Sequence, residues 1–474
     1  MRLAASEKTR KDGQKMNRFE LTIPRAAGVA LLTLAIGHVA AAQSRQVPAP
    51  AQSQPVVVHS AHIHTVGAGT FEPGYVAFAG GLITHVGRGA APEIADARVI
   101  DGSGLHVYPG LIGSDTRLGL VETGAVDVTH DHTEHGDLKP EVRSIVAVNP
   151  DSDLIPVTRA NGILSAMVFP SGGLVSGRPA LIRLDGWTWE QMAIDGNAGL
   201  LINWPRVTPV TSRWMNRSAF KQEKEIRENL AEIDRVFDDA LAYVEGRAND
   251  PTVRTDLRYE AMRPVLDGDR PVFVRAASAA QIESAVAWAV RRGFSIVIVG
   301  GAQSSRVLPL LKKHDVPVIV GGLHRMPAAR HIRYDEPFTL PAELYEAGVR
   351  FAIASGSGPA HERNLNHNAA TAAAYGLPKD IALRAVTLAP AEIFGQADRL
   401  GSIEVGKAAT LIVTTGDPLE IVTDTLLAFI DGRAIDLGSR HKTLYAKYRE
   451  KYRQLGVDGQ AVKTEPAPRR VGER

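Results

Sequence analysis

The sequence has no cysteine in 474 residues. That absence excludes disulfides, Cys-ligated zinc, thiol nucleophiles and a lipid-modified N-terminal cysteine. Neither charge is in excess: Lys+Arg total 54 and Asp+Glu 52. A nucleic-acid binder should carry a basic stripe, so this balance argues against one. No internal repeat of roughly 20 to 50 residues is visible, which argues against a solenoid or propeller. The apolar run Ala26 to Gly37 (AAGVALLTLAIG) falls short of the roughly 20 residues that a membrane span needs.

What is present suits a folded, exported protein. Hydrophobic residues make up 44% and charged residues 22%, near globular averages, so a large core is feasible. The length fits one barrel with a small satellite domain as well as it fits two or three ordinary domains. Arg2, Lys8, Arg10, Lys11, Lys15, Arg18 and Arg25 form a basic region ahead of the apolar run. Ala40-Ala41-Ala42 meets the small-residue cleavage rule, with Gln43 as the mature start. The start is either Met1 or Met16, the latter giving a more compact signal. The expectation is a signal peptide over 1–42 and a periplasmic or secreted protein with no stable membrane span after cleavage.

Residues 43–55 (QSRQVPAPAQSQP) have little to bury and read as a disordered linker. From Val56 onward, short β-rich runs alternate with Gly-containing turns. After Pro109, apolar strands (ILSAMVFP, PVFVRA, SIVIVGG, VPVIVGG, RFAIASG) alternate with helical patterns such as AAQIESAVAWAVRRG. Strands apolar throughout are buried on both faces, as in a parallel sheet. The expected fold class is α/β: a (β/α)8 TIM-type barrel with a small composite β-domain formed by N- and C-terminal segments. The expected boundaries are 56–106 and 401–440 for the two parts of the β-domain, 107–400 for the barrel and 441–474 for a polar tail. The tail carries a helical pattern, KYREKYRQL.

Three signatures carry a family resemblance. Val107 to Ile112 (VYPGLI) resembles the approach to the first barrel strand in the amidohydrolase superfamily. Thr387 to Ala391 (TLAPA) resembles its T-x-x-P-A turn, and Gly401 to Lys407 (GSIEVGK) its return into the β-domain. Order and spacing agree from about Val56 to Leu437, most similarly to the imidazolonepropionase-like members. The resemblance implies a metal-dependent hydrolase of non-peptide C–N bonds. Zinc or another divalent ion at the barrel mouth would polarise the substrate carbonyl and lower the pKa of a bound water.

At the family's ligand positions the sequence departs from that pattern. The family reads D-x-H-x-H after PGLI; this chain reads Gly113-Ser114-Asp115-Thr116-Arg117, with Asp115 and Arg117 at the two His positions. Arg275 stands at the His of the strand PVFVRA, Gly300 at the His ending SIVIVGG, and Gly356 at the Asp near the end of the last barrel strand. A guanidinium has no lone pair to offer a metal, and one carboxylate does not make a site. No metal or other cofactor is therefore expected. An arginine buried without a partner is costly, so Asp115 is expected to pair with Arg117 or Arg275 in the vacated site. In a sharper version, one arginine stays free to take a carboxylate or phosphate through its planar fork.

Other clusters stay open beside this one. His130, His132 and His135, with Asp131 and Glu134, offer a metal-ligating set on a loop at the functional face, or else a solvated lid. His324, His361 and His367 follow barrel strands, as lone bases or as polar rim residues. His59, His62 and His64 read as alternation on a half-exposed strand. Two classes of function remain: a hydrolase with an unusual site at His130–His135 or His324, and a non-catalytic protein. The second is a ligand-binding pseudoenzyme or a subunit supporting an intact amidohydrolase. The expected partners are a small anionic ligand and a second chain, either a copy of itself or that intact relative.

Overall fold

The structure is a computed structural model that describes residues 46–210, 217–327, 332–356 and 358–456. All of them belong to one compact unit, Ser44–Arg474. The expected signal peptide and the end of the tail lie outside the described residues.

The chain begins with five strands, β1 (Val56–His64), β2 (Thr70–Ala79), β3 (Leu82–Arg88), β4 (Arg98–Asp101) and β5 (His106–Pro109). The βα region supplies β6 (Leu111–Thr116), β7 (Ile163–Val168), β8 (Val175–Gly177), β9 (Ala180–Arg183), β10 (Ala193–Asp195), β11 (Leu200–Asn203), β12 (Val272–Ala276), β13 (Ile296–Gly300), β14 (Val318–Val320) and β15 (Phe351–Ile353). Three more, β16 (Leu411–Thr414), β17 (Thr425–Ile430) and β18 (Arg433–Ala434), close the chain's strand content. The first and last groups share one eight-stranded sheet, ordered β18-β17-β16-β5-β1-β2-β3, with β4 beside β1. The join is the antiparallel pair β16–β5, in which Leu411 faces Pro109 and Val413 faces Val107.

In the βα region, β11 to β15 run parallel, and β6 runs parallel to β7. These strands are apolar on both faces because both faces are covered. One face packs on helices: Val274, Ile298 and Val318 share a cluster with Phe237, Ala285 and Trp288. The other packs on itself: Ile112, Met167, Leu201, Phe273, Val299, Ile319 and Ala352 form a second cluster. Strand pairing leaves these strands in a four-stranded and a six-stranded sheet. Between their edges runs the segment 385–386. Ile353 N donates to Ala385 O at 2.9 Å, and Ile112 N donates to Val386 O at 2.8 Å.

The helices used below are α1 (Leu154–Arg159), α2 (Ala219–Asn249), α3 (Ala279–Arg292), α4 (Leu388–Ile393) and α5 (Arg440–Gln454). The chain of α3 shows why such segments are helical. Ser278 and Gln281 form a reciprocal capping box, and Gly293 ends the helix at φ 74°. Between them Ile282, Ala285, Val286 and Ala289 recur at helical spacing and are buried against the sheet.

Two expectations need correction. The segment expected to be a disordered linker is tied down from Gln46. Ala49 N donates to Asp185 Oδ2 at 3.1 Å, Gln52 Nε2 donates to Phe78 O at 3.0 Å, and Gly81 N donates to Gln52 Oε1 at 2.9 Å. Gln46 itself bonds Arg159 and the Gly438 carbonyl. Polar side chains here find fixed partners, which composition does not reveal. The tail, in turn, is helical from Arg440, earlier than the KYREKYRQL pattern, because Ser439 caps it by accepting from Lys442 N at 3.3 Å.

Candidate functional site

The site is built where β6, β12 and the turn after β15 end. All six residues of β6 are buried. Its pairing with β7 is irregular between Gly113 and Thr116. Gly113 is required by a close approach: a Cβ there would lie 2.2 Å from Glu362 Oε1. Two residues on, the side chain of Asp115 is 4% exposed, and Arg275 of β12 grips it with both terminal nitrogens. Nη1 donates to Oδ2 and Nη2 to Oδ1, each at 2.9 Å. The guanidinium also lies over the Phe169 ring, 5.7 Å from its centroid. Burial opposes its charge, but the Asp115 carboxylate and its hydrogen bonds prevail and raise the Arg275 pKa.

Arg117 follows β6 and is half-buried. Burial lowers its pKa, the charge of Arg275 lowers it further, and Asp115 acts the other way. Among the described residues its guanidinium has no hydrogen bond or ion pair. It also acts on His132, whose pKa is lowered first by burial, then by Arg117 and His130. His132 Nδ1 is buried without a hydrogen-bond partner among the described residues.

Sequence reasoning missed Glu362, in the turn Pro359–Asn364 after β15. It is fully buried. Its Oε2 accepts from Ser355 Oγ at 2.6 Å, while Oε1 has no hydrogen-bond partner among the described residues. Burial pushes its pKa up to about 7, against the hydroxyls of Ser355 and Thr116 and with the help of the Asp115 charge. No motif marks it. The one available signal was an acidic residue nine positions after the last barrel strand, beside the His361 that sequence reading did single out.

The remaining positions divide clearly. Gly300 ends β13 and Gly356 follows β15, both at φ 99°. Gly321 and Gly322 follow β14 directly, while Ala354 and Ser355 separate Gly356 from the end of β15. His130 contacts Thr123 O at 3.1 Å and lies 3.7 Å from Asp127, with its ring 5.5 Å from that of His132. His132 and His135 line a cleft of about 510 Å³ with Glu134, Lys139, Glu141 and Arg143. His324 is exposed and bonds Thr371 Oγ1 at 2.8 Å. His62 and His64 lie on β1, where their rings stack with His106 of β5.

No three His, Asp or Glu side chains among the described residues converge as a metal-holding group. His130, His132 and His135 form no such group in this structure: His130 Nε2 contacts Thr123 O, and His132 Nδ1 has no hydrogen-bond partner among the described residues. The matched family positions fit a divalent cation no better. Both oxygens of Asp115 are engaged by Arg275, and Arg117, Gly300 and Gly356 offer no side-chain ligand. What the arrangement offers instead is an unpaired guanidinium, a paired one beside it and a buried carboxyl that holds a proton near neutrality.

Comparison with known proteins gives this site its family setting. A model of the amidohydrolase family matches residues 288–436, from α3 to β18. The amidohydrolase tasK of Hapsidospora irregularis is 25% identical over 382 residues, covering 75% of this chain. This chain spans 39% of the length of that relative. Among solved structures, an amidohydrolase from Thermotoga maritima MSB8 superposes with a TM-score of 0.72 at 25% identity, over 80% of this chain and 99% of that one. A prolidase crystallised with N-methylphosphonate-L-proline shares the fold at a TM-score of 0.52 and 16% identity, over 81% of this chain and 100% of its own. With the VYPGLI, TLAPA and GSIEVGK signatures in place around the βα strands, the family-model match, the tasK relative and the Thermotoga structure together support the amidohydrolase superfamily.

Proposed function

We propose that this chain is an exported amidohydrolase-like protein that binds a small oxyanion, a carboxylate or phosphate, where the family resemblance implies a metal. The observation that carries this reading is the bidentate Asp115–Arg275 pair, which uses the only carboxylate among the matched ligand positions. Charge compensation that a cation would supply comes from a guanidinium. Arg117, beside it and without an acceptor among the described residues, is the group with a planar fork to offer. Gly300 and Gly356 add no side chain that would compete with Arg117 for such a ligand. The same reading takes the βα strands as a (β/α)8 barrel closed through 385–386, with the eight-stranded sheet as a composite β-domain.

The test is titration calorimetry with a panel of small carboxylates and inorganic phosphate. Arg117→Met should weaken binding by about 10- to 100-fold, the worth of one charge-assisted hydrogen-bonded pair. An unchanged affinity in Arg117→Met would remove the site from Arg117.

Glu362 favours a second reading, residual hydrolysis of C–N bonds without a metal. A carboxyl with a pKa near neutrality suits general acid–base work. In that reading Glu362→Gln abolishes turnover of an amide panel while leaving oxyanion binding in place. In the binding reading there is no turnover to lose.

A further inference from the structure

Helix α5 is exposed at every position from Arg440 to Gln454, although it is fifteen residues long. Its sequence is sorted by face. Leu444, Tyr445, Tyr448 and Tyr452, with Leu455 just beyond, fall within an arc of about 100° on a helical projection. Tyr445 is 68% exposed, Tyr448 50% and Tyr452 52%. Arg440 and Lys451 border one edge of this stripe; Lys442, Arg449 and Arg453 border the other. Six Lys/Arg against one Glu give α5 a formal charge of +5, while the whole chain carries +2, so the other residues are net negative. Lys451 Nζ lies 6.0 Å from the ring centroids of both Tyr448 and Tyr452, so the charge sits directly along the aromatic edge.

An aromatic stripe between two basic rows has a definite complement. We infer that α5 lies in the headgroup region of an anionic lipid bilayer, tyrosines and leucines inward, with lysines and arginines on the lipid phosphates. Tyrosine suits that depth because its ring is apolar and its hydroxyl stays wet, and basic rows flanking an apolar face are what hold an interfacial helix on acidic lipid. A second copy of α5 answers the stripe poorly, because it would bring basic edges together. A nucleic acid answers the charge but leaves Leu444 and Leu455 in water. No described helix is long and apolar enough to cross a membrane, so the contact is with the surface.

The test uses the chain from Gln43, which keeps every described residue and omits the N-terminal apolar run. Flotation with vesicles of phosphatidylcholine alone is compared with vesicles containing about a third phosphatidylglycerol. The expected result is at least about tenfold stronger association with the anionic vesicles, falling as salt rises from about 0.05 to 0.5 M. The triple variant Tyr445→Ser, Tyr448→Ser, Tyr452→Ser and the double variant Lys442→Glu, Arg449→Glu should each lose most of it. These side chains touch no core, so an unchanged melting temperature shows that the variants are folded. Equal association with both vesicle types, or a serine variant that binds like the parent, overturns the inference. So does duplex DNA binding that survives the serine substitutions without any vesicle binding.

Discussion

At Asp115 one carboxylate meets one guanidinium with both oxygens taken, and the consequences run outward from that pair. Removing either partner would leave a buried charge, so the pair is retained for more than its own net energy. Glu362, fully buried nearby, keeps its proton to a higher pH than a free carboxyl does. Its pKa is raised from 4.5 to about 7 on folding, so the folded state binds the proton more tightly. The stability this contributes is complete below pH 4.5 and is lost as pH climbs through 7. Glu362→Gln should therefore flatten the fall in stability between pH 5 and 8.5, by an amount of order 3 kcal/mol at the alkaline end. Urea midpoints for parent and variant at both pH values read it; parallel pH profiles would contradict it. Asp115, Arg117 and Arg275 were legible in the sequence because motif positions put them at strand ends. Which arginine pairs was not, since that depends on how β6 of the four-stranded sheet stands relative to β12 of the six-stranded one. Glu362 was illegible because its burial comes from Gly113 making room, a contact between residues 249 positions apart.

At the scale of elements, the segment from Gln46 to Gln54 joins the βα region to the last strands. Its anchor is Asp185, whose side chain is 2% exposed. That carboxylate accepts from Arg159 Nη1 at 2.7 Å, from Arg433 Nη1 at 2.9 Å and from Ala49 N at 3.1 Å. Asp185→Ala leaves two arginines facing each other with no anion between them. The expected loss is about 3–5 kcal/mol, the range for breaking a buried pair by removing one partner. A denaturant midpoint shifted by less than about 1 kcal/mol would show that solvent compensates the pair. Disorder was the natural reading of QSRQVPAPAQSQP, since composition measures only what a segment can bury. It is blind to Asp185, which lies more than a hundred residues away and supplies the acceptor. Helix α5, by contrast, was legible in its KYREKYRQL core, and only its start at Ser439 needed the structure.

Over the whole molecule, the alternation of apolar strands with capped helices made an α/β fold legible, because burial on both faces leaves no period-two pattern in strands such as VFVRA and IVIVG. The pairing of β16 with β5 was suggested only by β-rich composition at both ends; its register, Leu411 against Pro109, is tertiary information. The family resemblance was legible in three short signatures, while the family's chemistry was not, since its ligand positions carry Asp115, Arg117, Arg275, Gly300 and Gly356. The account rests on those replacements acting together, with an ion pair standing where the family resemblance implies a cation. Metal analysis of the purified chain from Gln43, after mild dialysis with and without added zinc, tests this most directly. The account predicts metal far below one equivalent per chain in both samples, unchanged by Asp115→Asn. Retention of about one equivalent per chain, lost in Asp115→Asn, would contradict it and return Asp115 to the role of a metal ligand.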